Sequence, residues 1–343
     1  MHYKLLGRTG LIVSHLCLGT NTFGGDKSGR YAALGALDQA TANAIVKRAI
    51  EAGINFVDTA NVYSNGGSES RVGQALKDLA IPRTSLVIAT KVGLRMAPGH
   101  NAVGLSRSHI MAEAEASLKR LATDYIDLYM VHRFDPLTPL DESLRALDDL
   151  VRSGKVRHVA CSNFSAWQVM KGLGISERDR LSRFEAVEAH YSIASRDIER
   201  ELVPMMQDQQ LGLMVWGPLV GGLLAGKIGR DGKGPGGTRL SGGVTTPVDL
   251  PRAYDIIDAM RPIAAAHGIT VARVALAWLL HQPWVTSVLF GATSVAQVED
   301  NVLASDVRLS AEDLAALDKA SVLRTEYPAW MQKRVNADRP QPG

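Results

Sequence analysis

The chain has 343 residues, 46% hydrophobic and 21% charged, which suits a folded globular protein large enough for one α/β barrel or two domains. A formal net charge of +3, spread evenly, gives no basis for a nucleic-acid or membrane partner. Cys17 and Cys161 lie far apart in apolar runs and read as buried thiols in a reducing compartment. The opening MHYKLLGRTG lacks the apolar core of a signal peptide, and no apolar stretch approaches bilayer length, so a cytoplasmic protein is expected.

The first residues, YKLLGRTGLIVSHLCLG, hold two short alternating segments around Arg8-Thr9-Gly10. The first segment reads as a hairpin arm capping the N-terminal end of a barrel. Short continuous apolar runs, as expected of strands buried on both faces, then recur at 14–19, 55–58, 86–91, 126–131, 156–162, 186–190, 212–216 and 285–290. Helical stretches separate them. One is predicted after Thr138 as N-cap, with Pro139 at the first helical position, Asp141 three after the cap and Gly154 as terminator. Gly53 and Gly268 close others, and Ser294 with Gln297 and Ser310 with Asp313 form two capping-box patterns. Eight strand–helix units with no break in composition predict a single (β/α)8 TIM barrel over residues 1–343. A doubly wound sheet of two halves is the alternative. The glycine-rich, aperiodic segment 229–247 reads as a long loop of the lid type.

Two glycine patterns fail on context. Residues 221–227 match the spacing of a phosphate loop, but Ile228 follows Lys227 where a hydroxyl is required. Gly232, Gly234 and Gly237 match a dinucleotide fingerprint without a preceding strand and with Pro235 inside the turn.

A different constellation emerges at the strand ends. Asp58 closes the second apolar run, Lys91 the third, and His132 follows the fourth; Tyr63 comes from the loop after Asp58. Singly, each has an ordinary explanation: a helix-start aspartate, a solvated lysine, a satisfied core histidine. In a parallel barrel, however, all four fall on the C-terminal rim, where barrel enzymes carry their chemistry. The chemistry that joins them is proton donation to a carbonyl oxygen. A free phenol titrates near 10, and an adjacent ammonium lowers that value by stabilising phenolate. Lys91 supplies the ammonium, Asp58 keeps it charged and in place, and His132 orients the substrate oxygen. No side chain supplies a hydride, so a nicotinamide cofactor must, and no metal-ligand spacing is visible.

The blocks LGRTGLIVSHLCLGT, FVDTANVYSNGGSE, ATKVG, DLYMVH, GKVRHVACSNFS, VWGPLVGGLLAGK and GATSVAQVEDN resemble the aldo-keto reductase family in order and spacing over nearly the whole chain. The resemblance implies a metal-free barrel that reduces aldehydes and ketones with NADPH, NADH being possible, through a tetrad mapping onto Asp58, Tyr63, Lys91 and His132. It places Gly19, Thr20 and Asn21 against the nicotinamide end. Ser162 and Asn163 fall on the carboxamide, Tyr191 is matched to the ring-stacking aromatic, and Trp216, Gly217, Pro218, Leu219, Gly221 and Leu223 wrap the pyrophosphate. Gly291, Thr293, Gln297 and Asn301 take the adenosine end, where Ser294 caps a helix.

Two positions depart from the family pattern. Glu188 stands where a glutamine usually contacts the carboxamide; if ionised, it would favour oxidised over reduced cofactor. Thr293 stands where many relatives place a cation against the 2′-phosphate, so a weak preference for NADP over NAD is expected. The expected substrate pocket is built from residues 23–38 and 96–105, Phe134, Trp167, Tyr327 and Trp330. The expected partner is therefore a small-molecule carbonyl or alcohol, with a homo-oligomer possible. The resemblance also admits a sugar or alcohol dehydrogenase, or a cofactor-binding regulatory subunit like the potassium-channel β subunits.

Overall fold

The computed structural model describes residues 1–24, 36–231 and 247–336. Two antiparallel strands, β1 (Tyr3–Leu5) and β2 (Ile12–Ser14), form the hairpin predicted at the N-terminus. Eight parallel strands follow: β3 (Leu16–Gly19), β4 (Phe56–Asp58), β5 (Val87–Val92), β6 (Ile126–Val131), β7 (Val156–Ser162), β8 (Phe184–His190), β9 (Gly212–Trp216) and β10 (Ser287–Gly291). They pair in chain order, and β10 pairs with both β9 and β3 to close the barrel. The TIM barrel is the observed architecture, and the doubly wound alternative falls. The first barrel strand begins at Leu16 rather than residue 14, because Ser14 belongs to the hairpin.

The apolar runs have no polar alternation because both faces of each strand are buried. Phe56, Ala89, Leu128, Met130, Ala160, Ala186, Met214 and Leu289 fill the barrel's interior together with Leu6 and Val13 of the hairpin. Their strand neighbours, among them Val57, Ile88, Tyr129, Val159 and Val187, face the helices instead. The hairpin plugs the N-terminal end at close range. A Cβ at Gly7, whose φ is +57°, would sit 2.1 Å from the Glu185 carbonyl oxygen, so this approach is open only to glycine.

Around the barrel lie α1 (Gln39–Glu51), α2 (Gly67–Asp78), α3 (Arg107–Leu121), α4 (Leu140–Arg152), α5 (Ala166–Asp179), α6 (Leu202–Gln209), α7 (Leu250–His267), α8 (Val271–Leu280) and α9 (Val295–Val302). Two further helices, α10 (Ala311–Ser321) and α11 (Ala329–Asn336), follow the last strand–helix unit. The α4 start is corrected by one residue. Pro139 occupies the cap position, and Thr138 donates its hydroxyl to Asp135 at 2.7 Å rather than accepting from the helix. Ser310 and Asp313 form the full capping box. Ser294 accepts from the Gln297 N–H as a cap, but the Gln297 side chain reaches back to Thr293 instead, so the reciprocal arm is displaced by one residue. Most of the lid-type segment 229–247 lies outside the described residues. Among the described residues no single helix is long and apolar enough to cross a membrane.

Candidate active site

Side chains alternate along a strand, so residues two apart share a face. Extending the interior face upward from Phe56, Ala89, Leu128, Ala160, Ala186 and Met214 reaches Asp58, Lys91, His132, Ser162, Glu188 and Trp216. The inner column thus changes from apolar to polar and ionisable at the C-terminal rim. There the Lys91 ammonium meets both Asp58 oxygens, at 2.5 and 2.6 Å, and donates to the Thr59 carbonyl at 3.1 Å. The Tyr63 hydroxyl lies 3.5 Å from the same nitrogen, and its ring meets the His132 ring edge-on at 5.9 Å. The four residues predicted to act together are in contact as one cluster.

Tyr63 is positioned by a turn that departs from helical geometry. Ser64 and Asn65 both take left-handed φ values before α2 begins at Gly67. The first turn of α2 anchors the region from below. The Ser68 hydroxyl bonds the Thr20 carbonyl, and the buried Glu69 carboxylate accepts from Thr90 and Arg120, each at 2.5 Å. Thr20 in turn donates through both N–H and hydroxyl to the Asp58 carbonyl, at 2.9 Å each.

Electrostatics modify one expectation. Lys91 does pull the Tyr63 phenol down, but burial outweighs it, and the Asp58 and Glu188 charges add to burial, so the net shift is upward. Tyr63 therefore holds its proton firmly. Burial works against the charge on Lys91, but the carboxylates of Asp58 and Glu188 overcome it and raise the ammonium's pKa well above its usual value. Burial, with Lys91 and Arg133 nearby, pushes His132 down to about 3, so its imidazole is neutral at physiological pH.

The rim around this group carries the other expected residues. Asn163, in a left-handed conformation, donates to the His132 carbonyl at 3.0 Å and to the Ser162 hydroxyl at 2.9 Å. It also accepts from the Trp216 indole at 3.0 Å, so one side chain braces the ends of three strands. The segment from Gly217 turns back through a short 3-10 stretch, Val220–Ala225, in which Gly221 and Gly222 have positive φ. Leu223 is fully buried. Gly291 ends β10 beside Gly19, and Thr293 and Gln297 lie exposed at the start of α9, where Asn301 is buried in the last turn.

Matched against known proteins, residues 15–322 fit the Aldo/keto reductase family. The chain belongs to the aldo/keto reductase family. It is 37% identical to an uncharacterised oxidoreductase, YrpG, of Bacillus subtilis, over 93% of this chain and 95% of the relative. It is 36% identical to a probable voltage-gated potassium channel β subunit of Arabidopsis thaliana, over 90% of this chain and 92% of the relative. An NADH-specific methylglyoxal reductase of Escherichia coli is also 36% identical, over 90% and 94%.

Aldo/keto reductases use nicotinamide cofactors, and the rim of this family member fits one. Glu188 presents a fully buried oxygen, Oε2, with no hydrogen-bond partner, beside Ser162 on the neighbouring strand. The loop after β9 and the N-terminus of α9 offer backbone N–H groups of the kind that hold phosphates. Tyr191 is the correction among these residues. It follows His190 by one and so turns outward, fully buried, with its ring 5.7 Å from Trp278 and its hydroxyl on Glu199 at 2.6 Å. It is fully buried, whereas the half-buried Trp216 ends the inner column of β9 at the rim. Glu188 was expected at the carboxamide, but its contact with the Lys91 ammonium, 3.3 Å from Oε2, is one the motif spacing does not disclose. The bracing contacts of Thr59, Ser68, Glu69 and Thr90 are likewise hidden from motif spacing, although all four lie inside the blocks FVDTANVYSNGGSE and ATKVG.

Of the expected substrate pocket, Phe23 is fully buried in the core, and residues 25–35 lie outside the described residues. Phe134 packs edge-on between Phe164 and Trp167, whose indole is 60% exposed. Tyr327 and Trp330 are exposed and in ring contact at 6.2 Å.

Proposed function

We propose that this aldo/keto reductase reduces aldehydes and ketones to alcohols with a nicotinamide dinucleotide, with Tyr63 as the proton donor. A reduced nicotinamide, when bound, supplies the hydride. The observation that carries the reading is the Asp58–Lys91–Tyr63 contact series, closed by His132 on the far side of the phenol. Neutral His132 has one N–H to offer a carbonyl oxygen, which fixes that oxygen within reach of the Tyr63 hydroxyl. As negative charge develops on the oxygen, the phenol gives up its proton. Lys91 then stabilises the resulting phenolate from 3.5 Å, and Asp58 keeps the ammonium aimed. A firmly held phenol proton suits this role, because an alkoxide is a stronger base than a phenolate.

NADP(H) is the proposed dinucleotide, and the same residues run in reverse would oxidise an alcohol or sugar. A cytoplasmic enzyme acting on small molecules is the corresponding cellular reading. A panel of aldehydes, ketones and sugars followed at the nicotinamide absorbance in both directions tests the proposal, with Tyr63→Phe as the control. The variant is expected to bind cofactor as the native protein does and to lose turnover by at least a thousandfold, within the range of general acid–base catalysis. Retained turnover would remove Tyr63 as the acid.

A further inference from the structure

The pocket beneath the rim holds one cation and two carboxyl groups. Lys91 already satisfies both oxygens of Asp58, and Glu188 reaches the same ammonium only at 3.3 Å, with Oε2 outside hydrogen-bonding geometry. The groups facing Glu188 are Asp58 from β4, Tyr63 from the turn after it, Lys91 from β5 and the Cys17 thiol from β3. Its neighbours on the flanking strands, Ser162 and Met214, do not titrate. Burial holds both the Cys17 thiol and the Tyr63 phenol in their neutral forms. The pocket therefore carries either a surplus negative charge or a proton on Glu188.

We propose that Glu188 is a proton-linked selector of cofactor oxidation state: it keeps its proton beside a reduced nicotinamide and releases it to solvent when the oxidised ring, with its positive charge, binds against Ser162 and Asn163. The inference rests on the nicotinamide reading above and adds a regulated property to that site. Position supports it, since Glu188 pairs with Ser162 across β7 and β8 and points into the barrel beneath Trp216 and Asn163. Charge supports it as well, since Asp58 leaves Glu188 no cation of its own. Burial first, with the Asp58 charge, pushes Glu188 up to about 8 against the opposing pull of Lys91, so the proton is held at neutral pH and remains exchangeable.

The sign follows from linkage. A positive ring favours the carboxylate, so affinity for oxidised cofactor rises as pH rises toward 8 and levels off above it. A neutral reduced ring has no such preference. The ratio of oxidised to reduced affinity should climb on the order of tenfold between pH 6.5 and 8.5, an ion–ion effect softened by Lys91 and solvent.

The test is a fluorescence titration of the intact protein with both oxidation states of one dinucleotide across that range, so that any 2′-phosphate contributes equally to both. A parallel measurement in weak buffer with a pH indicator reads proton release directly and does not depend on a variant. The native protein should release about half a proton on binding oxidised cofactor at pH 7, the slope that a tenfold rise over two pH units requires, and none on binding reduced cofactor. Glu188→Gln should flatten the ratio and abolish the release. Binding of both forms with no difference in proton release overturns the assignment of Glu188 and leaves the cofactor site standing. Failure of either form to bind at any pH overturns the site itself, and the inference with it.

Discussion

Lys91 lies between two carboxyl groups but belongs to one of them: Asp58 meets it through both oxygens, Glu188 through a single looser contact. Since the ammonium is wholly buried, removing either partner of the tight pair strands a charge where water cannot reach it. Asp58→Asn and Lys91→Met should each lower stability by about 3 kcal/mol or more. Glu188 gives Lys91 a fallback in the first variant, whereas in the second the buried Asp58 carboxylate is left with no cation and a second carboxyl group beside it, so Lys91→Met is expected to be the costlier change. The double variant should fall short of the sum of the singles by at least 1 kcal/mol, roughly the coupling seen for residues in one ionic network. Urea denaturation of the four proteins closes the cycle, and strict additivity would show that the two side chains do not depend on each other.

His132 offers a pH test. Burial and the nearby Lys91 hold its pKa at about 3 in the folded protein, below the usual value of 6.5. Between those limits the unfolded chain binds a proton that the folded one refuses, so stability is intact above about 6.5 and falls as pH drops toward 3. Denaturation midpoints at pH 7 and pH 4.5 should therefore diverge more in the native protein than in His132→Gln, which has no proton to take up. Carbonyl reduction, conversely, should show no loss on raising pH through 6.5, because the imidazole is neutral on both sides. An inflection near 6.5 that vanishes in His132→Gln would mean that a charged imidazole takes part.

The strand ends were legible because every barrel strand is buried on both faces and so stands out as an apolar run. Once Asp58 and Lys91 are seen to terminate adjacent runs, their meeting follows from the strand spacing. What the sequence concealed depends on parity and burial rather than on motif spacing. Tyr191 fits a family pattern by position, yet the alternation that sends Ala186 and Glu188 inward turns it toward Trp278 and the helices. The contribution of Lys91 to the phenol was readable from charge alone, whereas the depth of burial that outweighs it depends on the closed barrel and on side chains far apart in sequence. Thr138 resembles a cap in every local respect, but Asp135 three residues earlier competes for its hydroxyl.

Thr293 sets the expectation for the dinucleotide's far end. It is exposed where β10 gives way to α9, its N–H and hydroxyl both engaged by the Gln297 side chain at 2.8 and 3.2 Å. A 2′-phosphate would meet a hydroxyl here, and would have to draw it away from Gln297, while gaining no charge from the residue itself. Preference for NADPH over NADH should accordingly be no more than about tenfold, since charge-assisted hydrogen bonds are worth roughly twice neutral ones. Thr293→Arg should widen that preference by about another tenfold through NADPH affinity alone, with the gain shrinking as salt screens an exposed pair. Dissociation constants for both cofactors at low and high ionic strength provide the check. A native preference of a thousandfold would show that a cation elsewhere grips the phosphate, and Thr293 would cease to be the residue that sets cofactor choice.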